Sequence, residues 1–270
     1  MENTLKYSIV VPCYNSEPFL ETLCEQVYEA FGKDFELILV NDCSSDGTNE
    51  KIIELKKIYN FIKGFSFPNN LGQIASTLYG ISKAQGRITI TIDDDLQHSI
   101  QSFRILETLL KNENMDIVVA TWNTDESLVR NTSSTIFRIL SSLIILKKTS
   151  FRNTAFRLFK REYNNKIFEF FCSRFWLDPR RIFQHHKVGQ VNVDHFLQFK
   201  RPQSSFGSRI ALASKHIIFD SYLANLIIMI YVVFNPIFII FFFLYFLIQK
   251  TVREKTKKKR VETFNEATEL

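Results

Sequence analysis

Apolar and polar positions near the start of the chain follow two alternating periods. Residues 7–11 (YSIVV) form a short apolar run that stops at Pro12. Residues 35–40 (FELILV), 61–67, 87–92 (RITITI) and 116–120 (DIVVA) are runs of the same kind, and each predicts a strand. Between them, residues 19–31 place Leu20, Leu23, Cys24, Val27 and Phe31 three or four apart, which predicts a helix. Residues 74–84 and 103–110 also read as helices, and the turn Asp46-Gly47-Thr48 predicts the start of another that runs to Ile58. Continuously apolar strands alternating with helices predict a mostly parallel sheet covered on both faces. Ligands bind beyond the carboxyl ends of the strands in such sheets. Polar clusters fall at those ends: Tyr14-Asn15, Asn41-Asp42 and Asp93-Asp94-Asp95. The pattern is that of an α/β nucleotide-binding architecture.

Beyond residue 126 the pattern changes. Residues 136–146 (IFRILSSLIIL) are apolar and amphipathic, flanked by Arg130, Lys147 and Lys148 and carrying Arg138. They predict a helix lying at a membrane surface. Residues 188–193 read as a strand. Residues 223–248 are an almost uninterrupted apolar stretch of bilayer length, which predicts attachment to a membrane. Asn235-Pro236 divides that stretch into two arms, each about 18 Å long as a helix and short of the roughly 30 Å hydrocarbon core. Seven Lys/Arg follow between Lys250 and Arg260. A single crossing would carry all seven away from the cytoplasm, whereas a hairpin keeps them there, and the hairpin is the expectation.

Charge divides the chain further. Residues 1–126 carry 10 basic and 19 acidic side chains, and residues 127–222 carry 17 basic and 5 acidic, within a net charge of +6. An acidic half followed by a basic half suggests metal or sugar handling first and phosphate or membrane contact second. The four cysteines form no CxxC pair and read as reduced thiols, and no signal peptide is expected from the polar opening residues. Basic residues in the second half are not interleaved with aromatics, so nucleic acid is not expected as a partner. No GxGxxG follows the first strand, which argues against a dinucleotide-binding dehydrogenase.

Asp93-Asp94-Asp95 is the strongest local signal. Three carboxylates at a strand end are costly to place together unless a cation neutralises them. Alternation along an extended chain puts Asp93 and Asp95 on one side and Asp94 on the other. Hard oxygen donors of this kind suit Mg²⁺ or Mn²⁺, which commonly bridge to substrate phosphates.

The motifs together resemble the family-2 glycosyltransferases with the GT-A fold. Residues 9–15 (IVVPCYN) look like their opening VVPxYN strand, and residues 40–48 (VNDCSSDGT) look like VDDxSxDGT. Asn70-Leu71-Gly72-Gln73, with Gly80, Ala84 and Gly86, resembles NxGxxxAxxxGxxxAxG, Ser76 standing for the first alanine. Residues 93–98 match DxDLQH, and residues 156–159 resemble the FRLF of the polyprenyl-phosphate sugar transferase branch. Within the family, the likeness is to dolichyl-phosphate mannose synthases and bacterial undecaprenyl-phosphate glycosyltransferases.

That resemblance implies roles. Pro12, Tyr14, Asn15, Val40, Asp42 and Asp94 would bind the nucleoside-diphosphate sugar. Asp93, Asp95 and Gln97 would hold the divalent metal, Mg²⁺ or Mn²⁺. Arg157 would contact phosphate, and Asp93, Asp95 and Arg157 would make up the catalytic set. Arg130, Arg138 and Arg201 are candidates for the acceptor phosphate. The chain departs from the family pattern in four places, one of them the segment 151–155 before FRLF, which lacks the aspartate often found there. The first aspartate of VDD is Asn41, the glutamate after YN is Ser16 with Glu17 one place on, and the late RxxGxS block at residues 200–206 lacks its glycine.

No carboxylate lies between Ser127 and Arg161, where eight basic residues occur. A sugar hydroxyl acceptor needs a general base near the reacting oxygen, and a lipid phosphate does not. The expected function is therefore metal-dependent, inverting transfer of a sugar from a nucleoside-diphosphate sugar to a membrane lipid, polyprenyl phosphate in particular. Transfer to a sugar hydroxyl of a lipid-linked glycan is the alternative, with a base such as Asp94, and a non-catalytic membrane-bound module of the same fold is another. The division expected is a nucleotide-sugar-binding core at 1–126, an acceptor and membrane-interface part at 127–222, a membrane segment at 223–248 and a basic cytoplasmic tail at 249–270. Oligomerisation is left open, and the expected place is the cytoplasmic face of the cell membrane.

Overall fold

The computed structural model describes residues 5–96, 100–121, 154–165, 167, 187–193 and 239–270. Gln97, Arg130, Arg138 and Arg201 lie outside these residues, as do the amphipathic stretch 136–146 and residues 223–238 of the apolar stretch.

The alternation becomes strand and helix where it was expected: β1 (Tyr7–Cys13), α1 (Glu17–Phe31), β2 (Phe35–Asn41), α2 (Thr48–Ile58), β3 (Ile62–Ser66), α3 (Gln73–Lys83), β4 (Ile88–Thr91), α4 (Phe103–Asn112) and β5 (Ile117–Thr121). Then come β6 (Arg157–Lys160), β7 (Val188–Asn192), α5 (Ile239–Glu266) and β8 (Thr268–Glu269). All eight strands join one sheet in the order β7-β5-β6-β4-β1-β2-β3-β8. Only β6 and β8 run against their neighbours, so the sheet is mostly parallel.

Every residue of β1 and β2 is buried, because both faces are covered. Ile9, Val11, Leu37 and Leu39 pack against Leu20 and Leu23 of α1, Ile52 and Leu55 of α2 and Leu106 of α4. The residues between them, Val10, Ile38 and Val40, pack on the other face with Leu78, Tyr79 and Ile81 of α3. α3 lies close to the sheet because Gly80 has no side chain; a Cβ there would run into Val10 Cγ1. The apolar period of each strand thus fills two cores at once.

Two strands lie outside the expected pattern. β6 inserts antiparallel between β4 and β5, with Arg157 paired to Thr91 and to Val119. β8 adds to the outer side of β3, pairing Ser66 with Thr268 and Phe65 with Glu269. α5 crosses the expected boundary between membrane segment and tail as one unbroken helix. Among the described residues no helix is long and apolar enough to cross a membrane.

Sequential strands move outward from β1 to β2 to β3, and the chain then returns to place β4 on the other side of β1. The strand order reverses there, which opens a crevice at the carboxyl ends.

Candidate active site

A cavity of about 460 Å³ occupies that crevice, lined by Pro12, Cys13, Tyr14, Asp42, Asn70, Gly72, Gln73, Asp93, Asp94 and Asp95. Its walls come from the end of β1, the end of β2, the entry to α3 and the turn after β4.

The turn after β4 behaves as alternation predicts. Asp93 and Asp95 are half-buried, and Asp94 is 4% exposed. Asp94 points inward and accepts a hydrogen bond from the Ser16 hydroxyl and another from the Tyr14 backbone N–H at 3.4 Å. Asp94 therefore anchors the loop that carries Tyr14. Ser16 in turn donates its N–H to Thr48 Oγ1 at 2.7 Å, and Thr48 donates its hydroxyl to Asp46 at 2.5 Å. The three sequence motifs are thus tied to one another by side-chain hydrogen bonds. Glu17 accepts the N–H of Gly47 at 3.0 Å ahead of α2, so the carboxylate displaced by one position from the family pattern steadies the next motif.

Asp42 is 2% exposed and accepts the N–H of Leu71 and of Gly72, both at 2.8 Å. Burial pushes its carboxyl above the usual range, and the two backbone donors oppose that shift. Gly72 has φ +86°, a left-handed conformation that favours glycine, and it opens α3. Asn70 donates to the Asp42 backbone carbonyl at 3.1 Å. Neighbouring Asn41 uses both ends of its amide. Its nitrogen donates to Asn49 and Ser66, each at 3.2 Å, and its oxygen accepts the N–H of Ser44 at 3.1 Å. An aspartate could make only the last of these bonds.

Tyr14 lines the cavity and is 47% exposed. Asn15 and Val40 are placed differently from expectation. Asn15 accepts the N–H of Ser45 at 2.9 Å and holds the turn, and it is not among the lining residues. Val40 is fully buried in the core against α3, so its side chain belongs to packing. Arg157 begins β6 beside Thr91, two residues before Asp93, and is 8% exposed. It stands at the cavity end of the sheet without lining the cavity.

Gln73, Asn70, Gly72 and Cys13 line the cavity without having been expected to. Gln73 donates its side-chain N–H to Asp93. A glycine directly ahead of a helical period is the signal in the sequence that marks this corner. Among the described residues no group of three or more His, Cys, Asp or Glu side chains converges as a metal site. The two half-buried carboxylates, Asp93 and Asp95, nonetheless suit a hard cation that completes its shell with water and phosphate oxygens.

Comparison with known proteins bears on the family and the fold. A dolichyl-phosphate beta-glucosyltransferase of Trichomonas vaginalis is 28% identical over 69% of this chain and 64% of its own length. An undecaprenyl-phosphate 4-deoxy-4-formamido-L-arabinose transferase of Photorhabdus laumondii is 32% identical over 52% of this chain and 44% of its own. The chain thus spans less than two thirds of these relatives. The fold is that of glucosyl-3-phosphoglycerate synthase from Mycobacterium tuberculosis, solved with Mn²⁺ and UDP-glucose, at a TM-score of 0.56, 17% identity, and coverage of 79% of this chain and 77% of that one. A mannosyltransferase of Pyrobaculum calidifontis with GDP-mannose and Mn²⁺ also scores 0.56, at 15% identity over 79% of this chain and 62% of its own. The description Glycosyl transferase family 2 matches residues 8–168, from β1 through the strand that bears Arg157, and the chain belongs to that family.

Proposed function

We propose that this protein transfers a sugar from a nucleoside-diphosphate sugar to a polyprenyl phosphate in a membrane. The observation that carries the reading is the cavity itself, with Tyr14 and Asp42 on one wall and Asp93 and Asp95 on the other. Tyr14 offers a face for the base, and Asp42 holds the loop from which Asn70, Gly72 and Gln73 reach the cavity. Asp93 and Asp95 would hold Mg²⁺ or Mn²⁺, with Gln97 as the resemblance implies. A divalent cation there neutralises charge that develops on the leaving diphosphate. The Mn²⁺ in both structural neighbours supports that assignment.

Arg157, at the same sheet end, supplies a fixed positive charge for a phosphate of the donor or of the acceptor. The transfer forms a bond from an acceptor oxygen to the anomeric carbon and breaks the bond to the nucleoside diphosphate. An ionised phosphate oxygen can attack without a general base. The acid-free basic stretch 127–161 supports such an acceptor, as do the relatives whose names carry dolichyl and undecaprenyl phosphate. The membrane reading rests on residues 223–248, and it places the enzyme on the cytoplasmic face, where nucleotide sugars are.

The test is purified protein incubated with UDP-, GDP- and dTDP-sugars, a divalent metal and undecaprenyl phosphate, followed by lipid extraction. A sugar-phospholipid product supports the reading. Transfer to a lipid-linked glycan alone, with none to the lipid phosphate, would replace the acceptor.

A further inference from the structure

The outer side of β3 would expose a row of unpaired backbone groups if the sheet ended there. β8 covers it. The Leu270 N–H donates to the Gly64 carbonyl at 2.9 Å, and Lys56 pairs with Glu269 at 3.5 Å and donates to the Leu270 carbonyl. The preceding turn of α5 is fastened too. Phe264 stacks on Phe67, with ring centroids 5.6 Å apart, and meets Tyr79 edge-on at 5.3 Å, while Arg260 and Thr263 are buried. Because β8 is antiparallel to β3 and enters opposite Ser66, α5 reaches the sheet at its carboxyl end, which also bears the cavity.

The other end of the same helix has the opposite character. Residues 239–248 are apolar without interruption, and Leu247 and Ile248 are 57% and 51% exposed. Directly after them Lys250, Lys255, Lys257, Lys258 and Lys259 are exposed. An apolar helix start whose last two residues, Leu247 and Ile248, are exposed, and which passes directly into a collar of exposed lysines, fits one environment, the boundary between hydrocarbon and anionic headgroups. We propose that α5 is a strut standing in an anionic membrane leaflet, its apolar turns in the hydrocarbon, its lysines among the headgroups and its far end locked to the pocket end of the sheet. From Ile248 to Phe264 the strut is about 24 Å long. Asn192 and Thr268 belong to one sheet, so the chain between them returns to the side of the membrane from which it left. The cavity then lies at the end of the sheet to which the membrane strut is joined.

The proposal rests on the reading of residues 223–248 as membrane-inserted, and the experiment separates the two. Full-length protein in cell membranes is first washed with carbonate; release into the wash overturns the membrane reading itself. A single thiol is then placed by Glu266→Cys in a background with Cys43→Ser and Cys172→Ser, and a second protein that carries Cys172→Ser but keeps Cys43, exposed on the catalytic domain, serves as the same-side reference. An impermeant maleimide should label both positions in inverted vesicles and neither in intact cells. Labelling of the Glu266 position from outside intact cells would overturn the strut while leaving membrane attachment in place. Spin labels at Leu247 and Lys258 in anionic vesicles give the depth: the first should respond to oxygen and the second to a water-soluble relaxant. Both in water would overturn the proposal. A Ser66→Cys/Thr268→Cys pair should close a disulfide under mild oxidation, since facing residues of an antiparallel pair lie within disulfide range. Failure to close removes the locked end.

Discussion

Asp42 holds Gly72 by its backbone N–H at 2.8 Å, across thirty residues of sequence. The buried carboxylate at the end of β2 thereby fixes the left-handed residue from which α3 departs, and Asn70 and Gln73 on either side of it are presented to the cavity. Asp42→Ala removes the acceptor of two half-buried backbone N–H groups, at a cost of about 1 kcal/mol each. The unfolding midpoint in urea should fall, and nucleotide-sugar affinity measured by calorimetry should fall with it. Gly72→Ala should lower both through backbone strain alone, about 1–3 kcal/mol, because φ +86° with ψ 157° is a conformation almost reserved for glycine while a Cβ there meets nothing within 4 Å.

Asp93→Ala or Asp95→Ala should leave folding intact, since both side chains are half-buried at the cavity rim. Each should lower the rate of transfer on the order of 10²–10³-fold. Activity of the wild type should vanish in EDTA and return on adding Mg²⁺ or Mn²⁺. Full turnover in EDTA would refute the metal assignment.

Asn41→Asp restores the family's residue and should still harm this chain. The amide nitrogen donates to Asn49 and Ser66; a carboxylate has no N–H to give, so the Asn49 amide and the Ser66 hydroxyl must both turn to donate to it, and it puts a charge at a position only 2% exposed. A loss of about 1–3 kcal/mol in stability is expected by chemical denaturation. Asn41→Asp paired with Ser66→Ala should lose less than the sum of the two single changes, because the pair shares one bond.

Cysteine reactivity should divide by position. Burial, with Glu21 and Glu25 adding, pushes the Cys24 thiol up to about 12, whereas Cys43 is exposed. Iodoacetamide at pH 8 should therefore modify Cys43 in the folded protein and reach Cys24 only after denaturant is added. A folded pKa above the unfolded one means that the thiol's contribution to stability is complete below its ordinary value of 9.0 and is lost as pH rises toward about 12. Cys24→Ala should flatten the fall of stability between those two values, measured by urea titration at each pH.

Burial periods along the sequence sufficed for the alternating strands and helices up to β5, and for the split between Asp93 and Asp95 on one side and Asp94 on the other. Both properties are local: an apolar side chain every second or every third to fourth residue reports which face is covered, whatever it is covered by. Pairing is not local. β6 is a four-residue segment with an arginine and a lysine at its ends and β8 has only two residues, so neither shows an apolar period, and each pairs with strands that lie far away in the sequence. Only that pairing put Arg157 beside Thr91 at the cavity end, and only the covering of β3 brought α5 to the same end. The placing of the Asp42 and Val40 side chains was decided likewise by direction in space. The Asp42 carboxylate turns to the N–H groups of a loop that follows β3, and Val40 turns into the core that α3 closes, because a strand end offers its neighbouring side chains to opposite faces.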